Sequence, residues 1–332
     1  MQQTAGANLT RGILLAFAAF AVFAFSDASV KLIDGELPPI ESAFFGAVFA
    51  CVLIPFLLRK EDRWTDIFVT RYRALWIVRF CCYPLGVIGA VMAFTKLSMA
   101  EAFILIFLQP MFVTIMSTVF LKEQIGVRRW SAVAIGFAGV LIVLRPGFRE
   151  LSIGHVGAVA AGLFTGVSVI TYRVIGSEDK PVSLFGAGML GGVVVCGVAM
   201  LYGFQWPTIE QWILLAGYGL LAAGANLLLM YATFNAPAGY ISPTQYSQML
   251  WAILLDYLLF KAKVDAPTVI GIAFIIGSGI LTIARERKRG TPMPPSVAVG
   301  SDQAPLALTP AAWPREEHER GDVQAKCRSA ER

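Results

Sequence analysis

The chain has 332 residues, 57% of them apolar and 15% charged, with a formal net charge of +5. A water-soluble domain has about a quarter of its residues charged and interleaves them; here the charges are bunched between long uncharged runs such as 12–25 and 212–255, so lipid is the solvent for most of the chain. That composition excludes a soluble globular enzyme, and the cations flank apolar runs instead of forming a basic stripe with interleaved aromatics, which excludes a nucleic-acid partner.

About 20 helical residues cross a hydrocarbon core of about 30 Å. By that measure ten spans are predicted, over residues 11–33, 39–58, 75–95, 100–121, 128–145, 153–174, 182–204, 210–233, 239–260 and 267–285. The first run ends in an Ala-rich stretch that resembles a signal-cleavage site, but its length and the spans behind it mark an uncleaved helix. Residues 1–10 precede it as a cytoplasmic N-terminus. Asp27 lies sixteen residues into the span, roughly 24 Å at 1.5 Å per residue, in the outer third. The third span holds Arg79, Tyr83 and Pro84, and Arg79 is expected to snorkel to the cytoplasmic headgroups. Lys96 precedes the fourth span, which begins near Glu101 and continues to Gln109 and Pro110. Gly136 and Gly139 make the fifth a close-packing helix, Ser168 and Thr171 put polar groups in the sixth, and Asn226 and Tyr231 do so in the eighth. In the ninth, Gln245, Gln248, Ala252 and Asp256 recur at spacings of three and four and share one helix face, with Tyr246 and Trp251 beside it. Gly271, Gly277 and Gly279 make the tenth another packing helix. Beyond Thr291 the chain is rich in Pro, Ala and mixed charge and buries too little apolar surface to fold, so 290–332 is read as a disordered cytoplasmic tail.

Lys and Arg near span ends fall mostly on one side, from Arg11, Arg59, Lys60 and Arg71 through Lys122, Arg128 and Arg173 to Arg285–Arg289. The positive-inside bias places both termini in the cytoplasm, as an even number of spans requires. The five cysteines, Cys51, Cys81, Cys82, Cys196 and Cys327, suggest no disulfide framework, and with only His155 and His318 no metal or haem ligand set is present. No phosphate-binding Gly-rich loop with a Lys-Ser/Thr pair occurs, and no cofactor is expected.

The two halves resemble each other. The segment Phe120–Ile125 leads into a Gly-rich span, and 140 residues later Phe260–Val264 does the same; Ser26–Lys31 is echoed by Ser168–Arg173. With five spans per half, successive copies enter the membrane from opposite sides, an inverted repeat typical of transporters. Ala100–Ala102, Gln109–Thr114, Arg128–Trp130 and Gly136–Val143 resemble the first EamA repeat of the drug/metabolite transporter superfamily. Pro243–Trp251 and the last Gly-rich span match the second. The resemblance covers roughly residues 11–287 and implies an all-α integral membrane carrier of ten helices in two inverted five-helix repeats, 11–145 and 153–285. Members sharing Ser26–Ala28 and the Tyr246–Trp251 stretch are associated with uptake of metabolites such as S-adenosylmethionine or riboflavin, and others export amino acids. Lys261-Ala262-Lys263 stands where members often have a Gly-Glu pair, so no role of that glutamate carries over.

Ionisable groups inside spans cost about 2.5–3.5 kcal/mol at the helix centre, which makes each a functional candidate. Asp27, Glu101, Asp256 and Lys96 fall at similar depth and are expected to form an outer cluster in which Lys96 neutralises carboxylates, with Asp27 either protonating during transport or engaging a cationic group on the substrate, or else pairing with Lys96 or Lys31 to fix helix packing. A central cavity lined by Asp27, Tyr83, Gln109, Asn226, Tyr231, Gln245, Gln248 and Trp251 would suit a polar, ring-bearing metabolite. The predicted function is secondary transport of such a molecule across the bacterial inner membrane, with the substrate and the lipid bilayer as partners; a homodimer is left open. The alternatives are an exporter of the same superfamily and a membrane-embedded enzyme, for which no paired-Asp, metal or Ser/His constellation is found.

Overall fold

A computed structural model describes residues 2–57, 64–120, 127–144, 151–175, 179–235, 241–262, 265–274 and 276–277. The predicted tail, 290–332, lies outside the described residues. These residues form helices and 3-10 turns, with no strand among them. In chain order the helices are α1 (Gln2–Lys31), α2 (Pro39–Ala50), α3 (Ile54–Leu57), α4 (Arg73–Lys96), α5 (Met99–Ile106), α6 (Gln109–Phe120), α7 (Val127–Leu144), α8 (Ile153–Ile175), α9 (Pro181–Met200), α10 (Ile209–Asn235), α11 (Tyr246–Phe260) and α12 (266–274). Among the described residues five segments are long and apolar enough to cross a bilayer: Thr10–Lys31, Arg73–Lys96, Met99–Phe120, Ile153–Thr171 and Ile209–Ala232. Shorter apolar helices cover Pro39–Ala50, Val133–Leu144, Phe185–Met200 and Tyr246–Phe260. The protein is a multi-pass helical membrane protein.

Local chemistry sets the ends of these helices. Pro39 and Pro181 open α2 and α9, where a missing amide costs nothing because the first-turn donors have no helical acceptor. Asp34 and Gly35 both adopt positive φ after α1, turning the chain, and the Lys96 side chain closes over Gly35 so tightly that a Cβ there would meet its Nζ at 3.0 Å. The Ser98 side chain caps α5 by accepting the Glu101 amide at 3.2 Å.

The fourth span is broken. Phe107 and Leu108 form a turn between α5 and α6, and Pro110, which has no amide and whose ring clashes with the carbonyl four residues back, prevents one helix from running through. The ninth span is irregular too, where a 3-10 turn over Ser242–Gln245 precedes α11. The two irregular points meet, for the rings of Phe107 and Tyr246 stack at 5.5 Å and 18°.

The packing pairs helices across the two halves. α1 packs most extensively on α10, α4 on α8, and α2 on α9; α4 also meets α9 as α2 meets α10, and α1 meets α11 as α8 meets α5 and α6. In terms of predicted spans, adding five to each number exchanges these pairs with one another. Small residues permit the closest approaches: a Cβ on Gly89 would lie 2.6 Å from the Gly157 carbonyl oxygen, and one on Gly157 2.7 Å from that of Gly89.

Candidate transport site

The buried polar groups run through the bundle interior from the end where α1 stops, called here the Lys31 end, toward the opposite Asp179 end. One turn inward of Lys31 is Asp27, 1% exposed, whose Oδ2 accepts a hydrogen bond from Gln248 Nε2 at 3.0 Å, joining α1 to α11. One residue earlier, the Ser26 hydroxyl donates to the Tyr218 carbonyl of α10 at 2.7 Å. Gln248, Ala252 and Asp256 share the buried face of α11, and Gln245, in the turn that leads into it, is buried with them. Gln109, at the first position of α6 beside the break, is 2% exposed, and Asn226 of α10 is likewise 2% exposed with its Nδ2 turned back onto the Ala222 carbonyl. Tyr83 and Arg79 follow on α4, the guanidinium lying 5.6 Å from the Tyr83 ring centroid. Gly188 of α9 makes room for both, since a Cβ there would fall 3.1 Å from the ring and 3.4 Å from Arg79 Nη2.

Several of these amides have unused capacity. Both Nε2 and Oε1 of Gln109, Oε1 of Gln248 and Oδ1 of Asn226 are buried with no hydrogen-bond partner among the described residues. An unsatisfied buried polar group costs about 1–3 kcal/mol, so such atoms in a native interior imply a partner supplied from elsewhere, water or a bound molecule. Amide oxygens accept and amide nitrogens donate, which suits a neutral polar surface, while Asp27 adds acidity on the Lys31 side. Gly162 of α8 covers the break, with 3.0 Å between its would-be Cβ and the Ile106 oxygen.

The structure revises parts of the predicted site. Lys96 is exposed beside Gly35; Asp256 is instead paired with Lys31, Nζ to Oδ1 at 2.9 Å, because Lys31 ends α1 beside α11. Asp27 therefore meets Gln248, and neither lysine is its partner in these contacts. Glu101 pairs with His155 of α8, Oε1 to Nε2 at 3.0 Å, and His155 Nδ1 accepts the Ser152 amide, which fixes Nε2–H as the donor to Glu101. Arg79 does not snorkel but is fully buried. Tyr231 is 53% exposed, since five residues of helix turn it about 140° from Asn226, and Trp251 is 36% exposed at the rim of its helix, where an indole meets lipid comfortably. The remaining predicted residues, Asp27, Tyr83, Gln109, Asn226, Gln245 and Gln248, are buried. The concavity of about 590 Å³ at Thr10, Arg11, Leu14 and Leu15 is an open depression in the N-terminal half of α1, lined by none of them.

Sequence reasoning missed His155, whose only signal was its closeness to a helix start, and the partnership of Lys31 with Asp256, for which no short-range pattern exists. It also missed the Asp179 end. There the Asp179 carboxylate accepts the Arg71 amide at 3.0 Å and the Thr70 hydroxyl, and Lys180 pairs with Asp66 at 2.6 Å.

Paired halves, broken spans and buried amides with unused capacity define a membrane transporter, and the comparison with known families agrees. Residues 10–145 and 152–284 each match the EamA-like transporter family, and the chain belongs to that family. Among its relatives, a riboflavin transporter of Rhizobium johnstonii is 27% identical over 254 residues, covering 76% of this chain and 83% of the relative. An S-adenosylmethionine uptake transporter of Rickettsia prowazekii is 24% identical over 267 residues, covering 79% and 89%. A crystal structure at 16% identity superposes with a TM-score of 0.58 over 85% of this chain and all of the other, a likeness of fold alone.

Proposed function

We propose that this protein is a secondary carrier, not an enzyme, that takes up a small polar metabolite across the bacterial inner membrane, and that the substrate sits among Asp27, Gln109, Asn226, Gln245 and Gln248. The observation that carries the reading is Gln109, buried beside a broken span with both ends of its amide unpartnered among the described residues. Discontinuous helices near the midplane are where carriers place substrate, because only there can irregular backbone face a ligand instead of lipid. The exchange of packing pairs on adding five to the span number supports two inverted five-span repeats and ten spans in all. The cation distribution supports cytoplasmic termini. The substrates for which these relatives are named, riboflavin and S-adenosylmethionine, are both ring-bearing and rich in hydrogen-bonding groups, as buried amides flanked by Phe107 and Tyr246 would suit. Uptake of each radiolabelled compound into proteoliposomes, with and without preloaded unlabelled compound, tests the proposal. Saturable uptake of one of them, stimulated by preloading and abolished in Gln109→Leu, is expected. Equal accumulation in protein-free liposomes would remove it.

A further inference from the structure

At the Lys31 end, four elements converge on one ion pair. Lys31 Nζ lies 2.9 Å from Asp256 Oδ1, donates to the Leu97 carbonyl at 2.9 Å and stands 4.8 Å from the Phe260 ring centroid. The second oxygen of Asp256 accepts the Met99 amide, the first of α5, at 2.9 Å. Asp256 is fully buried and the Lys31 side chain is 11% exposed. A single carboxylate thus ties the end of α11 to the end of α1 and to the N-terminus of the half-helix that runs down to Gln109. The buried charge resists parting, because neither ion regains full hydration until the helices separate.

The opposite end is built differently. Phe120 and Phe260 mark corresponding points 140 residues apart, so the counterpart of Asp256 in the first half is Met116. The backbone-capping carboxylates, by contrast, come in a matched pair: Asp179 beside the start of α9 accepts the Arg71 amide, and Glu41 in the first turn of α2 accepts the Gln205 amide at 2.8 Å. Each holds the loop between two spans to the start of a helix in the other half. Among the described residues the Asp179 end has its own ion pair, Lys180 with Asp66, but there the Lys180 side chain is 46% exposed, whereas the Lys31–Asp256 tie is buried.

Resting on the carrier reading, we propose that Lys31 and Asp256 are positioning residues for transport: their pair is the latch that keeps the Lys31 end closed over Asp27, Gln248 and Gln109, and it must part for substrate to pass that end. Transport by alternating access needs each end to open in turn, and a buried tie at this end, against the more exposed Lys180–Asp66 pair at the other, biases the resting protein toward closure here.

The test needs no identified substrate. In a background with the native cysteines replaced, Ala252→Cys, one turn inward of Asp256 and fully buried, reports opening at the Lys31 end, and Ser183→Cys, fully buried near the start of α9, reports the Asp179 end. A charged, membrane-impermeant thiol reagent is applied to right-side-out and inside-out vesicles. Asp256→Asn and Lys31→Met are each expected to speed labelling at 252 by about tenfold or more, from one face only, with the double variant no faster than either single one, as coupling through one pair demands. Labelling at 183 should not change. Unchanged rates at 252, additive effects, or equal acceleration at both positions would overturn the latch; the last would mean general loosening. If the latch responds as expected while no compound is transported, the carrier reading fails and the latch stands.

Discussion

Asp27 and Gln109 are the residues on which transport should depend most, and for different reasons. Asp27 has an amide donor at 3.0 Å inside a membrane helix, where a carboxylate without function would be selected against. Asp27→Asn keeps the shape and removes the charge; losing one charge-assisted contact to substrate should slow uptake by about ten- to a hundredfold at normal surface expression. Wild-type rates would mean that Asp27 serves packing alone. For Gln109 stability and activity should part company. Replacing a buried amide that has no partner among the described residues by leucine removes a desolvation penalty of about 1–3 kcal/mol, so Gln109→Leu should unfold at equal or higher temperature while uptake falls. A loss of both would show the amide to be structural. Sequence could reveal these side chains because a polar residue in an apolar run stands out. It could not assign Lys31 over Lys96 to Asp256, since both lie at span ends and only the crossing of α1 with α11 decides.

Among the elements, the broken span α5–α6 is the feature on which the site depends. Pro110 announced an irregularity in the sequence, but a proline in a membrane helix often yields only a bend. The full break follows from its surroundings, because Gly162 lets α8 close against the carbonyls of Leu105 and Ile106. Gly162→Ala would set a Cβ 3.0 Å from the Ile106 oxygen, and overpacking of that kind costs about 1–3 kcal/mol. Thermal unfolding in detergent should show the drop, together with weakened uptake from a displaced Gln109. An unchanged midpoint would mean that α8 moves away freely and that the break is not held by it. The helical periodicity of the ninth span was legible at once, as Gln245, Gln248, Ala252 and Asp256 all face inward. The outward turn of Tyr231 was not, because a lone tyrosine on an apolar helix suits either a cavity or the lipid interface.

At the scale of the whole molecule, hydropathy and internal similarity carried the fold class, because lipid imposes length and apolarity on every span and a repeat leaves two copies of its pattern. Which helices touch is another matter; the crossed packing of α1 on α10 and α4 on α8 brings together residues nearly 200 positions apart in the first case. The topology predicts that a reporter fused after Arg289 will be active only as a cytoplasmic fusion, and periplasmic activity would invert the molecule. The central claim is that the buried amides line a path open to water and substrate in some state of the cycle. Cysteine at Gln245 and at Gln248, in a background free of native cysteines, labelled with a water-soluble thiol reagent, measures this most directly. Labelling of at least one position, slowed by the transported compound, is the predicted result; no labelling of either in any transport state, and no protection, would contradict the account.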